Sequence, residues 1–180
     1  MTDALIVIDV QRGFDEELWG PRNNPACESN IARLIEHWRT SNRPVVFVRH
    51  DAAESGYALD PGHPGNAFKD VITGEPTLLV TKSTNSAFYG TPDLNAWLSE
   101  HDIEDVTICG ITTDHCCSTT ARMAGNLGYN VHFVLDATHT FDRSDAEGVI
   151  PAELVARVTA ASLDEEFATV ESTSDALARL

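Results

Sequence analysis

Val106-Thr107-Ile108-Cys109-Gly110-Ile111-Thr112-Thr113-Asp114-His115-Cys116-Cys117-Ser118-Thr119-Thr120-Ala121 reads as one strand running into one helix. Val106–Ile111 is almost continuously apolar or β-branched, the pattern of a strand buried on both faces. Thr119 through Leu127 has helical character and is closed by Gly128, the residue type that most easily takes the left-handed conformation after a helix. Val131–Leu135 then begins another strand. Outward from this unit the same grammar repeats. Ala4–Val10, Pro44–Arg49, Thr77–Thr81 and Phe167–Val170 are further strand-like runs. Ile31, Leu34, Ile35 and Trp38 recur at helical spacing, with Ser29 or Asn30 as the expected N-cap. Pro92 is suited to the first position of a helix carrying Leu94, Trp97 and Leu98, and another helix starts near Pro151 with Leu154, Val155 and Val158. Alternating strands and helices imply right-handed βαβ units and an α/β fold, a three-layer α/β/α sandwich. With no repeat, low-complexity tract or linker, residues 1–180 are expected to form a single domain. The stretch from Asp51 to Gly74 is long for a connection and reads as functional.

Composition narrows the function. The chain has 180 residues, 42% of them hydrophobic, enough for one substantial core. Its 12 Lys+Arg against 28 Asp+Glu give a formal charge of −16, which opposes binding to nucleic acid and to anionic membranes. The apolar runs are far below the ~20 residues that span a bilayer. No signal peptide is recognisable, and Cys27, Cys109, Cys116 and Cys117 form no CxxC pair, so a cytoplasmic protein with free thiols is expected.

In an open α/β sheet, ligands gather at the carboxyl ends of the strands. Three such ends carry reactive side chains. Asp9 interrupts an apolar strand, where burial demands a partner or simply a loop to cap. Lys82 directly follows the third strand, where most lysines reach solvent. Cys116 is delivered by a glycine-containing turn to a helix start, where backbone N–H groups favour a thiolate or an oxyanion, although many cysteines are only small core residues.

Taken together, Leu5-Ile6-Val7-Ile8-Asp9-Val10-Gln11 with Phe14, Lys82-Ser83-Thr84-Asn85-Ser86-Ala87-Phe88 with Gly90-Thr91, and Gly110-Ile111-Thr112-Thr113-Asp114-His115-Cys116 with Thr120-Ala121 resemble the isochorismatase-like cysteine hydrolase superfamily. Gly128-Tyr129, Val131 and Asp136-Ala137-Thr138 extend the resemblance. It implies a six-stranded parallel sheet of order 3-2-1-4-5-6 and an Asp9-Lys82-Cys116 catalytic triad. It also implies a cis peptide before Thr112, an oxyanion hole from the Thr112 and Cys116 N–H groups, and a homodimer or homotetramer. In that sheet order Lys82 starts two strands from Asp9, so the Lys82–Phe88 loop is expected to fold back toward it. The implied reaction is hydrolysis of a C–N bond in a small amide, carbamoyl or lactam-like substrate through a Cys thioester, without a cofactor. The negative exterior favours neutral or cationic amides.

Nicotinamidases of this superfamily hold a metal through an Asp-x-His pair after strand two. Here the stretch reads His50-Asp51-Ala52-Ala53, and alanine cannot be a ligand, so no metal is expected. His50, Asp51 and His63 stay open as metal or substrate contacts, with loop-stabilising hydrogen bonds as a further reading for His50 and His63. Phe14, Trp19, His63, Phe88 and His115 are the expected substrate-binding residues. Vinyl ether hydrolysis is the rival within the superfamily, but those enzymes commonly carry glycine at the Cys116 position. A flavodoxin-like binding domain would need a phosphate-cradling loop, which Asp9-Val10-Gln11-Arg12-Gly13-Phe14 does not offer. A Cys116–Cys117 redox pair would close a strained ring.

Overall fold

Apolar residues alternate in facing along the first strand, and that alternation divides the core in two. In the computed structural model, which describes residues 2–179, β1 (Thr2–Ile8) sends Ala4, Ile6 and Ile8 to one face and Leu5 and Val7 to the other. β2 (Val45–His50) and β4 (Ile103–Ile111) pair in parallel on either side of it. β3 (Leu78–Lys82) lies outside β2, and β5 (Asn130–His139) outside β4. Two short strands, β6 (Arg143–Asp145) and β7 (Gly148–Ile150), form a separate hairpin, and β8 (Thr169–Glu171) completes the six-stranded parallel sheet β3-β2-β1-β4-β5-β8. This is the expected order, with the hairpin inserted before the last strand. α1 (Cys27–Thr40) and α5 (Thr173–Arg179) cover the face of Leu5 and Val7. α2 (Leu94–Glu100), α3 (Ser118–Asn126) and α4 (Ala152–Leu163) cover the other. No helix is long and apolar enough to cross a membrane, among the described residues.

Several boundaries differ from expectation for identifiable reasons. β1 stops at Ile8 rather than Val10 because Asp9 turns to φ 51°. β5 runs on to His139, past Leu135, through an irregularity at which the β4 pairing jumps from Phe133 to Thr138. Ser29 and Asn30 are inside α1, whose N-cap is Ala26; the Asn30 amide instead donates to the Asp136 carbonyl at 2.8 Å. Pro92 lies outside α2 after a cis bond, and Asp93 caps that helix through the Ala96 N–H at 3.0 Å. The last strand begins at Thr169, because Phe167 closes the end of α4 through the Leu163 carbonyl. The β6–β7 hairpin and α5 carry no strong periodicity and are found only in the structure.

Close approach of β1 and β4 sets the site. Gly110 has φ 131°, and a Cβ there would lie 2.1 Å from the Ile8 carbonyl oxygen. A side chain at this position therefore pushes apart the two strand ends that carry Asp9 and Thr112. Gly110→Ala is expected to cost about 3 kcal/mol of stability by urea unfolding.

A partly buried charge cluster fixes the start of α1 against the ends of the strands. Glu28 accepts two hydrogen bonds from Arg22, at 2.7 and 2.8 Å, and one from Lys69 at 2.8 Å, while Lys69 also bonds Asp15 at 2.6 Å. Burial opposes ionisation of Glu28, but Arg22 and Lys69 outweigh it and hold its carboxyl well below the usual range. His139 is fully buried against Phe141, edge to face at 5.2 Å, with both ring nitrogens unpartnered among the described residues. Burial and then the Arg22 charge push its pKa down to about 3. Between that value and the usual 6.5 the unfolded chain binds the proton and the folded chain does not, so acid weakens the fold by up to about 1.4 kcal/mol per pH unit from this group. Urea unfolding of His139→Phe at pH 7 and pH 5 is expected to show a smaller loss on acidification than the parent.

Candidate active site

Asp9, the first residue past β1, has no exposed surface. Its N–H donates to the Val48 carbonyl at 2.9 Å and its carbonyl accepts from the Gln11 N–H at 2.8 Å, which points the chain away from the sheet. Lys82 is still within β3, in register with His50 of β2. Its side chain spans the end of β2 and places Nζ 2.6 Å from Asp9 Oδ2, an ion pair with both side chains fully buried. The expected folding-back of the Lys82–Phe88 loop is therefore not what joins them; the length of lysine suffices. Cys116 lies in one π-helical turn, Thr113–Cys117, that runs directly into α3. Lys82 Nζ donates to Cys116 Sγ at 3.5 Å, and the thiol donates to Asn85 Oδ1 at 3.7 Å.

The third Lys82 contact is a residue whose part the sequence left open. His50 Nδ1 lies 3.1 Å from Nζ and 3.9 Å from Asp9 Oδ2. The ammonium thus faces a carboxylate, an imidazole nitrogen and a sulfur at once. The main chain of His50 is clamped: its N–H donates to Gln11 Oε1 at 2.8 Å, and its carbonyl accepts from Gln11 Nε2 at 2.9 Å and from Asn66 Nδ2 at 3.1 Å. Gln11 is itself fully buried, which gives the glutamine of the first motif a structural purpose.

These contacts set the charges. Burial opposes the Lys82 ammonium, but Asp9 and Cys116 outweigh it and its pKa lies above the ordinary lysine value. Burial pushes the Cys116 thiol up, and the Asp9 carboxylate adds to this against the opposing pull of Lys82. Burial and the Asp9 carboxylate thus favour the thiol form of Cys116 beside the buried Asp9–Lys82 pair. Asp9 Oδ1 is buried with no partner among the described residues, leaving one carboxylate oxygen able to accept a proton. Thr112 is 4% exposed and follows a cis peptide bond with Ile111.

The expected substrate contacts lie in several places. Phe14, Trp19 and Phe141 form one aromatic cluster, with ring separations of 5.0 and 5.5 Å around Trp19, and Tyr57 stands edge-on to Trp19 at 6.1 Å. Phe88 is buried and stacked on Tyr129, which precedes β5 at the amino ends of the strands. His63 caps its own turn, Nδ1 accepting from the Gly65 N–H at 3.0 Å. His115 is half-exposed beside Asp114, whose carboxylate is bound by Arg143 and Thr140.

A metal does not fit these residues. Both Asp51 oxygens are held by Arg49, at 2.8 and 3.0 Å, and Oδ1 is also held by Asn66. Asp9, His50 and Cys116 could in principle converge on a cation, with donor atoms within 4.8 Å of one another. The ammonium of Lys82 already stands among them.

Residues 3–161 match the Isochorismatase domain family. The chain is 37% identical over 172 residues to YrdC, an uncharacterized isochorismatase family protein of Bacillus subtilis (strain 168), covering 94% of this chain and 91% of that one. The chain belongs to the isochorismatase family. Among its relatives this isochorismatase-family hydrolase is 30% identical to nicotinamidase 3 of Arabidopsis thaliana, with 82% of this chain and 78% of that one covered. It is 28% identical to a streptothricin hydrolase of Streptomyces noursei, over 93% of this chain and 61% of that one. A solved isochorismatase-family hydrolase from Chromobacterium violaceum ATCC 12472 superposes with a TM-score of 0.94 at 37% identity, covering 98% and 92% of the two chains. A cysteine hydrolase from Pseudomonas syringae pv. phaseolicola 1448A superposes at 0.87 with 25% identity, covering 98% and 91%.

Removing one partner of the buried ion pair strands the other. Lys82→Met or Asp9→Asn alone is expected to lose about 3–5 kcal/mol by urea unfolding, and the double variant to lose less than the sum of the two.

Proposed function

We propose that this protein is a cysteine amidohydrolase that cleaves the C–N bond of a small amide, carbamoyl or lactam-like substrate. The observation that carries this reading is the Lys82 ammonium in simultaneous contact with the Asp9 carboxylate and the Cys116 thiol in a buried site. A thiol held in its protonated form needs an adjacent base, and Asp9 is within reach of it. The nicotinamidase among the relatives supports carboxamide chemistry, and the cysteine hydrolase among the solved structures supports a sulfur nucleophile.

Cys116 Sγ attacks the carbonyl carbon while its proton passes to Asp9. The carbonyl electrons move to oxygen, and the Thr112 and Cys116 N–H groups at the start of the helical segment receive the oxyanion. Lys82 keeps the additional negative charge near sulfur and carboxylate compensated throughout. Collapse of the tetrahedral intermediate breaks the C–N bond, Asp9 returns the proton to the departing nitrogen, and an acyl thioester is left on Cys116. Water then attacks the thioester and gives one proton to Asp9; the acid product leaves, and the proton restores the thiol.

A panel of small amides, ureas and carbamates, followed by intact-mass detection of an adduct on Cys116, tests the proposal. Turnover is expected for the parent, and no turnover for a folded Cys116→Ala variant. Asp9→Asn and Lys82→Ala are each expected to fall at least about 100-fold. Parent-like turnover by Cys116→Ala would overturn the mechanism.

A further inference from the structure

We propose that His50 is a substrate-recognition residue, whose Nε2–H donates a hydrogen bond to an acceptor, other than the scissile carbonyl oxygen, one or two bonds from the carbon that Cys116 attacks. The proposal rests on the amidohydrolase reading and adds the chemistry of selection to it. Lys82 has only donors, so the His50 nitrogen it meets at 3.1 Å must offer its lone pair. In the neutral ring the single N–H is then forced onto Nε2. That atom has no partner among the described residues and is not sealed from solvent, and the side chain is 16% exposed. The ring, one nitrogen of which lies within 4.8 Å of the largely buried Cys116 sulfur, thus carries a donor fixed in tautomer and without a protein acceptor among the described residues, an arrangement open to a ligand.

The rest of the surroundings hold this arrangement in place. Gln11 and Asn66 clamp the His50 main chain, so the ring is mounted on a rigid strand end. The charged and titratable groups facing it are Lys82 from β3, Asp9 beyond β1, Cys116 from the π-helical turn and its neighbour Asp51. Burial first, and then the Lys82 charge, lower the His50 pKa against the two carboxylates, so the ring is neutral at pH 7. A substrate with an oxygen or aromatic nitrogen acceptor near its scissile carbonyl would be held; a plain alkyl amide would not.

Two measurements decide this without requiring turnover. The first is 15N NMR of histidine-labelled parent protein at pH 7, where His50 is expected as the Nε2–H tautomer; an Nδ1–H tautomer or an imidazolium would overturn the proposal. The second is the alkylation rate of Cys116, followed by intact mass, with two probes. Each forms an S–C bond, breaks a C–I bond and releases iodide and a proton. Iodoacetamide carries an acceptor two bonds from the carbon attacked, and allyl iodide carries none. His50→Asn retains an acceptor for Lys82 and removes the Nε2–H donor. It is expected to slow iodoacetamide about tenfold, the worth of one hydrogen bond, while changing allyl iodide less than about twofold. Equal slowing of both probes, or no change in either, would overturn substrate recognition by His50. Should His50→Asn fail to fold, the tautomer of the parent still decides. Failure of the amide panel alongside a selective alkylation effect would instead count against the hydrolase reading alone.

Discussion

The buried ion pair between Asp9 and Lys82 is the interaction on which the other features of this molecule depend. Two charges cannot be removed from water unless their geometry is held, and here that geometry comes from the sheet itself. β2 separates the two strands that supply them, so the lysine must be at the very end of β3 and the aspartate immediately beyond β1. Main-chain hydrogen bonds at both strand ends, the β1–β4 contact allowed by Gly110 and the clamp of Gln11 on His50 all keep that spacing.

The same pair sets the character of the sulfur. A cationic neighbour alone would favour a thiolate, but the nearby carboxylate and the lack of solvent oppose it. Burial first, and then the carboxylate, favour a neutral thiol beside the ion pair. In the proposed reaction, charge develops only when a carbonyl receives the electrons, and the N–H groups of the helical start meet it.

The alternation of buried parallel strands and helices was legible in continuous apolar runs and helical spacing, whereas the strand order and the grouping of Asp9, Lys82 and Cys116 came from the resemblance to a family, because the local pattern around each residue fits a structural role as well. What the chain did not disclose depends on long-range geometry. His50 was visible as a histidine, but its contact with Lys82 follows from register between β2 and β3. Phe88 had the composition of a pocket wall and instead stacks on Tyr129, a partner 41 residues along the chain. His63 met a purely local need, the capping of its own turn, which competes with any ligand for the same nitrogen. The hairpin of β6 and β7 and the short α5 lack the periodicity that makes a segment readable.

The segment after β3 has a consequence for the sulfur. Asn85 is exposed although its side chain touches the buried sulfur, while Ser86, Ala87 and Phe88 beside it are buried. The Ala87 N–H is bound to Thr120 Oγ1 at 3.1 Å, and Ser86 Oγ contacts Met123, both on the helix that continues from Cys116. Cys116 and the segment beside it are thus both anchored to α3, so the position of Asn85 against the sulfur is held by contacts that lie outside the Asp9–Lys82 pair.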